Sequence, residues 1–252
     1  MSSARKFYDA LADHYHLIFE DWDRSIERQR AALTTVLAQH WQLSGGTVLD
    51  AAVGIGTQAL GLIKHGFSVV GSDISIRALN RARDEASRRN LTLALTAADF
   101  RCLPFSHASF DAAIACDNAL PHLLSIDEIR SALSEIARCV RLGGGVLLSM
   151  RDYSAPPAEG TIEKRPYGER VWNGRRFFAE QEWRWQGSTY QLLLRIQSLD
   201  DASERLEVES TYLAVSVPTI LELMTSIGLV DVQRVDDVYY QPLLIGTVRR
   251  AA

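Results

Sequence analysis

The sequence predicts an α/β protein built on a doubly wound, mostly parallel sheet with an antiparallel final strand, and carrying a small antiparallel β lid. Three observations predict it. Short apolar runs alternate with amphipathic stretches from about residue 46 to 152, a glycine turn follows the first run, and beyond Tyr153 the periodicity changes to two. Alternation of strand-like and helix-like stretches implies a parallel sheet covered on both faces.

Residues 1–44 read as an N-terminal helical cap or lid. An aromatic and acidic segment, Tyr15 to Asp23, precedes a helix over about 25–41, whose Ile26, Leu33, Val36 and Leu37 recur at helical spacing. The core comprises 45–154 and 214–252. Its strands are expected near 47–50, 67–72, 91–96, 110–116 and 144–150, with helices near 57–65, 75–89 and 126–140. A Pro-rich link through Pro156 and Pro157 opens the inserted lid, 155–213, in which an antiparallel meander runs from about 160 to 213. Asn173-Gly174, a strong two-residue hairpin signal, Gln186-Gly187 and Asp200-Asp201-Ala202-Ser203 mark its reversals. A helix near 217–227 is opened by Ser216 and Pro218 and closed by Gly228. The runs at 229–235 and 243–249 then return to the core sheet as an antiparallel pair.

The chain has 252 residues, 47% hydrophobic, which is ample for one buried core. A net charge of -4 offers no global attraction to nucleic acid phosphates, so a small-molecule substrate is expected. Cys102, Cys116 and Cys139 are odd in number and lack Cys-x-x-Cys spacing, which argues against a disulfide framework or zinc site. The first residues lead into a mixed polar segment rather than an apolar signal core, so a cytoplasmic protein with no membrane association is expected.

The chemistry concentrates at Val48-Leu49-Asp50-Ala51-Ala52-Val53-Gly54-Ile55-Gly56-Thr57. Small residues at alternate positions let a ligand approach the backbone closely. Gly54 to Ala59 formally fits the dinucleotide pattern G-x-G-x-x-G/A, a weak signal on its own. The register Asp50, Ala52, Gly54, Gly56 also fits the S-adenosylmethionine pattern. An acid just before the turn suits an ammonium and a sulfonium better than a pyrophosphate. The turn therefore points to a Rossmann-like core for S-adenosylmethionine. Asp73, ending the second apolar run, is the expected ribose acceptor. Asp99 and Phe100 follow the third strand, where the ring could stack on adenine and the acid accept its amine; turn capping by Asp99 is the alternative.

The fourth strand ends in Cys116-Asp117-Asn118-Ala119-Leu120-Pro121-His122, at the edge where such sheets bind ligands. Asn118 offers a donor and an acceptor there. His122, beside proline and leucines, reads more readily as a hydrogen-bonded core residue than as a base, and Cys116 as a packing residue with its backbone toward the ligand. Arg151-Asp152-Tyr153 ends the fifth strand. An arginine there can clamp a carboxylate bidentately, or simply pair with Asp152. Arg77, Arg81, Arg83, Arg88 and Arg89 form a solvated helix face, and His14-x-His16 alone is weak evidence for metal, so no metal is assigned.

With these residues in hand, the chain resembles class I S-adenosylmethionine-dependent methyltransferases, and within them the glycine and glycine/sarcosine N-methyltransferases. The matching segments are the Ala52 slot, the leader Tyr15 to Asp23 with Arg28, the Asp-Asn-Ala-Leu-Pro-His run at 117–122 and Arg-x-Tyr at 151–153. The resemblance implies that Tyr15 and Trp22 cover the cofactor and Arg28 holds its carboxylate. It places Ala52 and Gly54 at the methionine part, Asp73 on ribose, Asp99 and Phe100 at adenine, and Cys116 in backbone contact. It further implies Asn118, Arg151, Tyr153 and Tyr212 around a substrate carboxylate. The implied reaction is N-methylation of a small amino acid, yielding S-adenosylhomocysteine; N- or O-methylation of another small metabolite is the alternative. The lid loops match the family less well. A nicotinamide oxidoreductase would need a Tyr-x-x-x-Lys pair that is not evident, and a non-catalytic cofactor-binding protein would not need the pair Asn118 and Arg151.

Overall fold

A computed structural model of the chain describes residues 3–249. Seven strands form the main sheet: β1 (Gly46–Asp50), β2 (Phe67–Asp73), β3 (Ala94–Ala97), β4 (Phe110–Ala115), β5 (Val140–Ser149), β10 (Leu229–Val235) and β11 (Leu243–Val248). Their order is β10-β11-β5-β4-β1-β2-β3. The first five are parallel neighbours. β11 inserts antiparallel between β5 and β10, as the expected antiparallel final pair requires. Because β1 lies between β2 and β4, the strand order reverses there, and the crevice beyond the carboxyl ends of β1 and β4 is where such sheets take ligands.

The helices are α1 (Ser3–Leu11), α2 (Trp22–Trp41), α3 (Thr57–Lys64), α4 (Ile76–Arg88), α5 (Ile126–Cys139) and α6 (Val217–Ser226). Four begin at a side-chain cap: Asp21, Ser75, Ser125 and Ser216 each accept a hydrogen bond from a backbone N–H three residues on. α5 shows how the sequence sets a buried face. Ile129, Leu133 and Ile136 recur at three- and four-residue spacing, and all are fully buried, each contributing roughly 1.5–3 kcal/mol relative to exposure.

The second sheet is inserted between β5 and α6 and runs in order β6 (Ile162–Trp172), β7 (Arg175–Gln186), β8 (Thr189–Ser198) and β9 (Arg205–Leu213). The β6–β7 turn has Asn173 at φ 51° and Gly174 at φ 76°, the double left-handed geometry that an Asn-Gly hairpin adopts. Alternate residues of β7 and β8, from Phe177 to Trp185 and Tyr190 to Ile196, point inward. They join the same hydrophobic core as Leu49 and Ala113 of the main sheet. No helix among the described residues is long and apolar enough to cross a membrane.

Several boundaries differ from the sequence expectation, among them α2, which begins at Trp22 rather than about 25. α1 lies within the expected helical cap but ahead of the one helix placed there, because its anchors Phe7 and Leu11 are isolated in sequence; in the fold both bury against the lid core. β3 begins at Ala94 rather than 91. β5 begins at Val140 rather than 144, continuing through Gly143 at φ 76° with a register shift against β4.

Gly71, midway along β2, shows how tightly the turn after β1 is backed. A Cβ at this position would stand 2.8 Å from Val53 Cγ2, 2.9 Å from Val53 Cβ and 2.9 Å from Leu95 Cδ2. Gly71→Ala is expected to destabilise the protein by about 1–3 kcal/mol through overpacking. A urea unfolding midpoint equal to wild type would show instead that the turn yields freely.

Candidate functional site

The turn after β1 is built by two glycines in the left-handed region, Gly54 at φ 52° and Gly56 at φ 96°. Its position is fixed from β2: Asp73 Oδ2 accepts the Gly54 N–H at 2.8 Å while Oδ1 accepts the Ser75 N–H at 2.8 Å. Behind it, the indole N–H of Trp22 donates to Thr57 Oγ1 at 2.9 Å, tying the start of α3 to α2.

A cavity of about 310 Å³ opens at the ends of β1, β2 and β4. Ala52, Gly54, Asp73, Asp99, Phe100 and Cys116 all line it, as does Tyr15, whose ring lies over Gly54. Six residues that are scattered through the sequence thus share one wall, joined there by the aromatic leader. Asp73 keeps acceptor capacity beyond its two backbone bonds. Asp99 is held by Arg101, which donates to Oδ1 from its backbone N–H at 2.9 Å and from Nε at 3.0 Å, and to Oδ2 from Nη2 at 2.6 Å. The turn-capping reading therefore holds, and Oδ2 still has a free acceptor site. Burial would raise the Asp99 pKa, but the Arg101 bonds outweigh it and keep the group below its ordinary value.

A second cavity of about 180 Å³ adjoins the first, the two sharing Tyr8, Tyr15 and Asp117. Arg28, Arg151, Tyr167 and Tyr212 line it. Arg151 lies over the Trp183 ring, its guanidinium carbon 4.8 Å from the centroid, and makes no ion pair among the described residues. Asp152, its adjacent acid, pairs with Arg234 instead at 2.5 Å, so the local pairing considered from sequence does not form. Arg28 stands at the rim of this second cavity and not on the wall of the first.

Besides Arg28, two more expected contact residues lie away from the cavity walls. Trp22 lines neither cavity; it is buried behind the turn, with the guanidiniums of Arg81 and Arg89 over its ring, because α2 turns its first residue inward. Asn118 is 1% exposed and also lines neither cavity. Its Oδ1 accepts the Arg151 N–H at 3.0 Å and its Nδ2 donates to Tyr153 Oη at 2.9 Å. Tyr153 Oη in turn bonds Tyr190 Oη at 2.7 Å. Asn118 and Tyr153 therefore position Arg151 from behind. Tyr153 lies along a third, more open space of about 650 Å³, which Arg151 also lines.

His122 is bonded on both ring nitrogens, to Tyr8 Oη at 2.9 Å and Ser210 Oγ at 3.2 Å. Burial, with a smaller contribution from Arg151, drops its pKa to about 3, so it is a neutral, hydrogen-bonded wall residue of the first cavity. Sequence reasoning missed Tyr8, Gln58, Asp117, Tyr239 and Tyr240. Tyr8 was hidden by the unforeseen α1, and the tyrosine pair sits in a loop with no periodic signal.

Residues 48–144 match the model of the methyltransferase domain family. The chain contains a methyltransferase domain. It is 34% identical over 134 residues to the glycine/sarcosine N-methyltransferase of Parasynechococcus marenigrum (strain WH8102), covering 53% of this chain and 46% of that protein. The chain thus spans about half the length of the curated relatives it matches. Two solved structures share its fold over nearly the whole length. An S-adenosylmethionine-dependent methyltransferase from Clostridium acetobutylicum superposes with a TM-score of 0.76 at 13% identity, covering 98% of this chain and 99% of that one. CalS10 with bound S-adenosylmethionine, an amino pentose methyltransferase from Micromonospora echinaspora, gives 0.72 at 18% identity, covering 89% and 92%.

The acids of the methyltransferase domain carry an electrostatic signature. Asp50 is fully buried, neither of its oxygens has a well-aligned donor, and burial pushes its pKa up to about 8, with Asp73 and Asp117 adding to the rise against the Ala52 N–H. Burial likewise brings Asp73 to about 6, opposed by the N–H groups of Ser75 and Gly54. A carboxyl with a raised folded-state pKa binds more protons folded than unfolded. Its stabilisation is complete below the unfolded pKa near 4 and is lost as pH rises through the folded value. His16, near 4, and His122, near 3, act oppositely, but only below about pH 6.5. Between pH 6.5 and 8 the unliganded protein should therefore lose stability, and Asp50→Asn should flatten that slope. Melting temperatures of the two proteins across this window test it; parallel slopes would assign the loss to other groups.

Proposed function

We propose that the protein transfers a methyl group from S-adenosylmethionine to the amine nitrogen of a small amino acid such as glycine or sarcosine, releasing S-adenosylhomocysteine. The observation that carries this reading is Arg151, stacked on Trp183 and unpaired by any acid among the described residues, at the cavity next to the nucleoside-type cavity. A planar guanidinium so placed suits a carboxylate, which it can hold in two parallel bonds.

The first cavity fits the methyl donor on two grounds. Asp73 offers acceptors at the end of β2, and no cation is paired with it among the described residues, which suits a ligand carrying hydroxyl donors and positive charge. S-adenosylmethionine supplies a methyl group already activated on a sulfonium. The work left to the protein is to align the acceptor with it and to exclude water, and alignment can be worth roughly 7–11 kcal/mol. Tyr8 and Tyr15 stand at the passage between the cavities, where that alignment is set, and no acid-base residue needs to be invoked. The one-third identity to glycine/sarcosine N-methyltransferases, spread over half the chain, supports the amine as acceptor.

Release of S-adenosylhomocysteine from a panel of glycine, sarcosine, dimethylglycine, larger amines and phenols tests the acceptor class directly. Turnover is expected with glycine or sarcosine, and turnover confined to phenols would overturn the reading. Asp73→Ala should weaken S-adenosylhomocysteine binding about tenfold or more, since hydrogen bonds to a charged acceptor are worth roughly 1.5–3 kcal/mol; calorimetry reads this out, and unchanged affinity would remove the ribose assignment. Arg151→Lys should lose about 2–4 kcal/mol in kcat/KM for the amino acid while S-adenosylmethionine affinity stays within about twofold. Full activity in that variant would mean that the substrate is not held by a carboxylate.

A further inference from the structure

Asp117 lines both cavities where they adjoin. Three side chains hold it, all neutral. Gln58 Nε2 donates to Oδ2 at 2.8 Å, Tyr239 Oη donates to Oδ1 at 2.8 Å, and Tyr240 Oη donates to Oδ1 as well. A carboxylate has about four acceptor positions, so one remains, on Oδ2.

The backbone aims that position rigidly. Asp117 and Asn118 are consecutive left-handed residues, φ 59° and 67°, and each N–H is fixed by Ser149, through Oγ at 2.7 Å and the carbonyl at 3.0 Å. Two such residues in sequence are strained, and strain of this kind persists where the surrounding structure over-determines it. The result is a carboxylate with no cation paired to it, facing a space whose other charged groups are guanidiniums, Arg28 and Arg151. Burial raises its pKa, opposed by the two tyrosines, Gln58 and Arg151. What the site lacks is a small cation carrying N–H donors.

We propose that Asp117 binds the acceptor nitrogen, so that the second cavity selects a zwitterion, carboxylate on Arg151 and ammonium or amine on Asp117. This rests on the amino-acid reading above and adds the group that would recognise the nitrogen. The plainer role is a structural hub: the same bonds join the loop before β11 to α3, and Tyr239 and Gln58 also reach Gln29. A hub would affect stability without distinguishing ligands by their nitrogen.

The test is calorimetric titration of the S-adenosylhomocysteine-bound protein with glycine, sarcosine and acetate, the last being glycine's carboxylate without its nitrogen. Wild type should bind glycine or sarcosine at least about tenfold more tightly than acetate. In Asp117→Asn that preference should fall to about twofold or less, with S-adenosylhomocysteine affinity within about threefold of wild type, which also shows that the variant is folded. Equal affinity of wild type for glycine and acetate, or no amino-acid binding at all, overturns the proposal without need of a variant. So does a variant that keeps the preference, or one that loses S-adenosylhomocysteine affinity instead, which would place Asp117 on the cofactor side. Turnover is read in parallel. Preferential glycine binding that depends on Asp117, with no S-adenosylhomocysteine released from S-adenosylmethionine, supports the binding assignment while overturning the methyl-transfer reading.

Discussion

Parallel strands deliver their carboxyl ends to one edge of the sheet, and here that geometry brings together three carboxylates from β1, β2 and just beyond β4. Asp50 and Asp73 are buried, Asp117 is partly buried against the cavities, and none of them is in an ion pair among the described residues. Removing charge from water without a partner is costly: burial raises the Asp50 pKa to about 8, while Asp73 and Asp117 are given hydrogen-bond donors. A ligand that brings positive charge relieves the remainder. The sheet edge is thus prepared for a cation before any ligand arrives, and the nature of the fold as much as any single residue sets that condition.

The second sheet makes the counterpart. Arg151 leaves the end of β5 and its guanidinium lies on Trp183 of β7, so a core strand supplies the charge and the inserted sheet supplies the surface that holds it. Behind it, Asn118, Tyr153 and Tyr190 form a hydrogen-bonded chain from β4 through β5 to β8. Tyr190 also stacks on Trp183 at 4.6 Å and on Tyr212 at 5.1 Å, so the aromatic packing of the inserted sheet fixes the same network. The second cavity is lined both by an acid, Asp117, and by guanidiniums, Arg28 and Arg151. α1 contributes Tyr8, which bonds His122 and lines both cavities where they adjoin.

The core strands and helices were legible because their apolar spacing repeats over whole turns, and the hairpins because Asn173-Gly174 has little other use. The glycine turn, Asp73, Asp99 and Phe100 could be placed on one edge from strand order alone. What sequence could not show was direction. Asn118 and Trp22 are of a type that contacts ligands, yet one φ of 67° and one helix start turn them into supports. Asp117, the neighbour of Asn118, takes the place facing the cavities. Tyr239 and Tyr240 reach Asp117 from 122 and 123 residues away, a contact that no local pattern encodes.

In the proposed function, the boundary lined by Tyr8, Tyr15 and Asp117 separates a nucleoside cavity from an amino-acid cavity. The most direct measurement is a crystal structure of the protein with S-adenosylhomocysteine and sarcosine bound together. The ribose hydroxyls should lie on Asp73 and the sarcosine carboxylate on Arg151, with the thioether sulfur and sarcosine nitrogen facing each other where the two cavities adjoin. Sarcosine seated away from Arg151, or a nucleoside outside the cavity at the ends of β1 and β2, would contradict it.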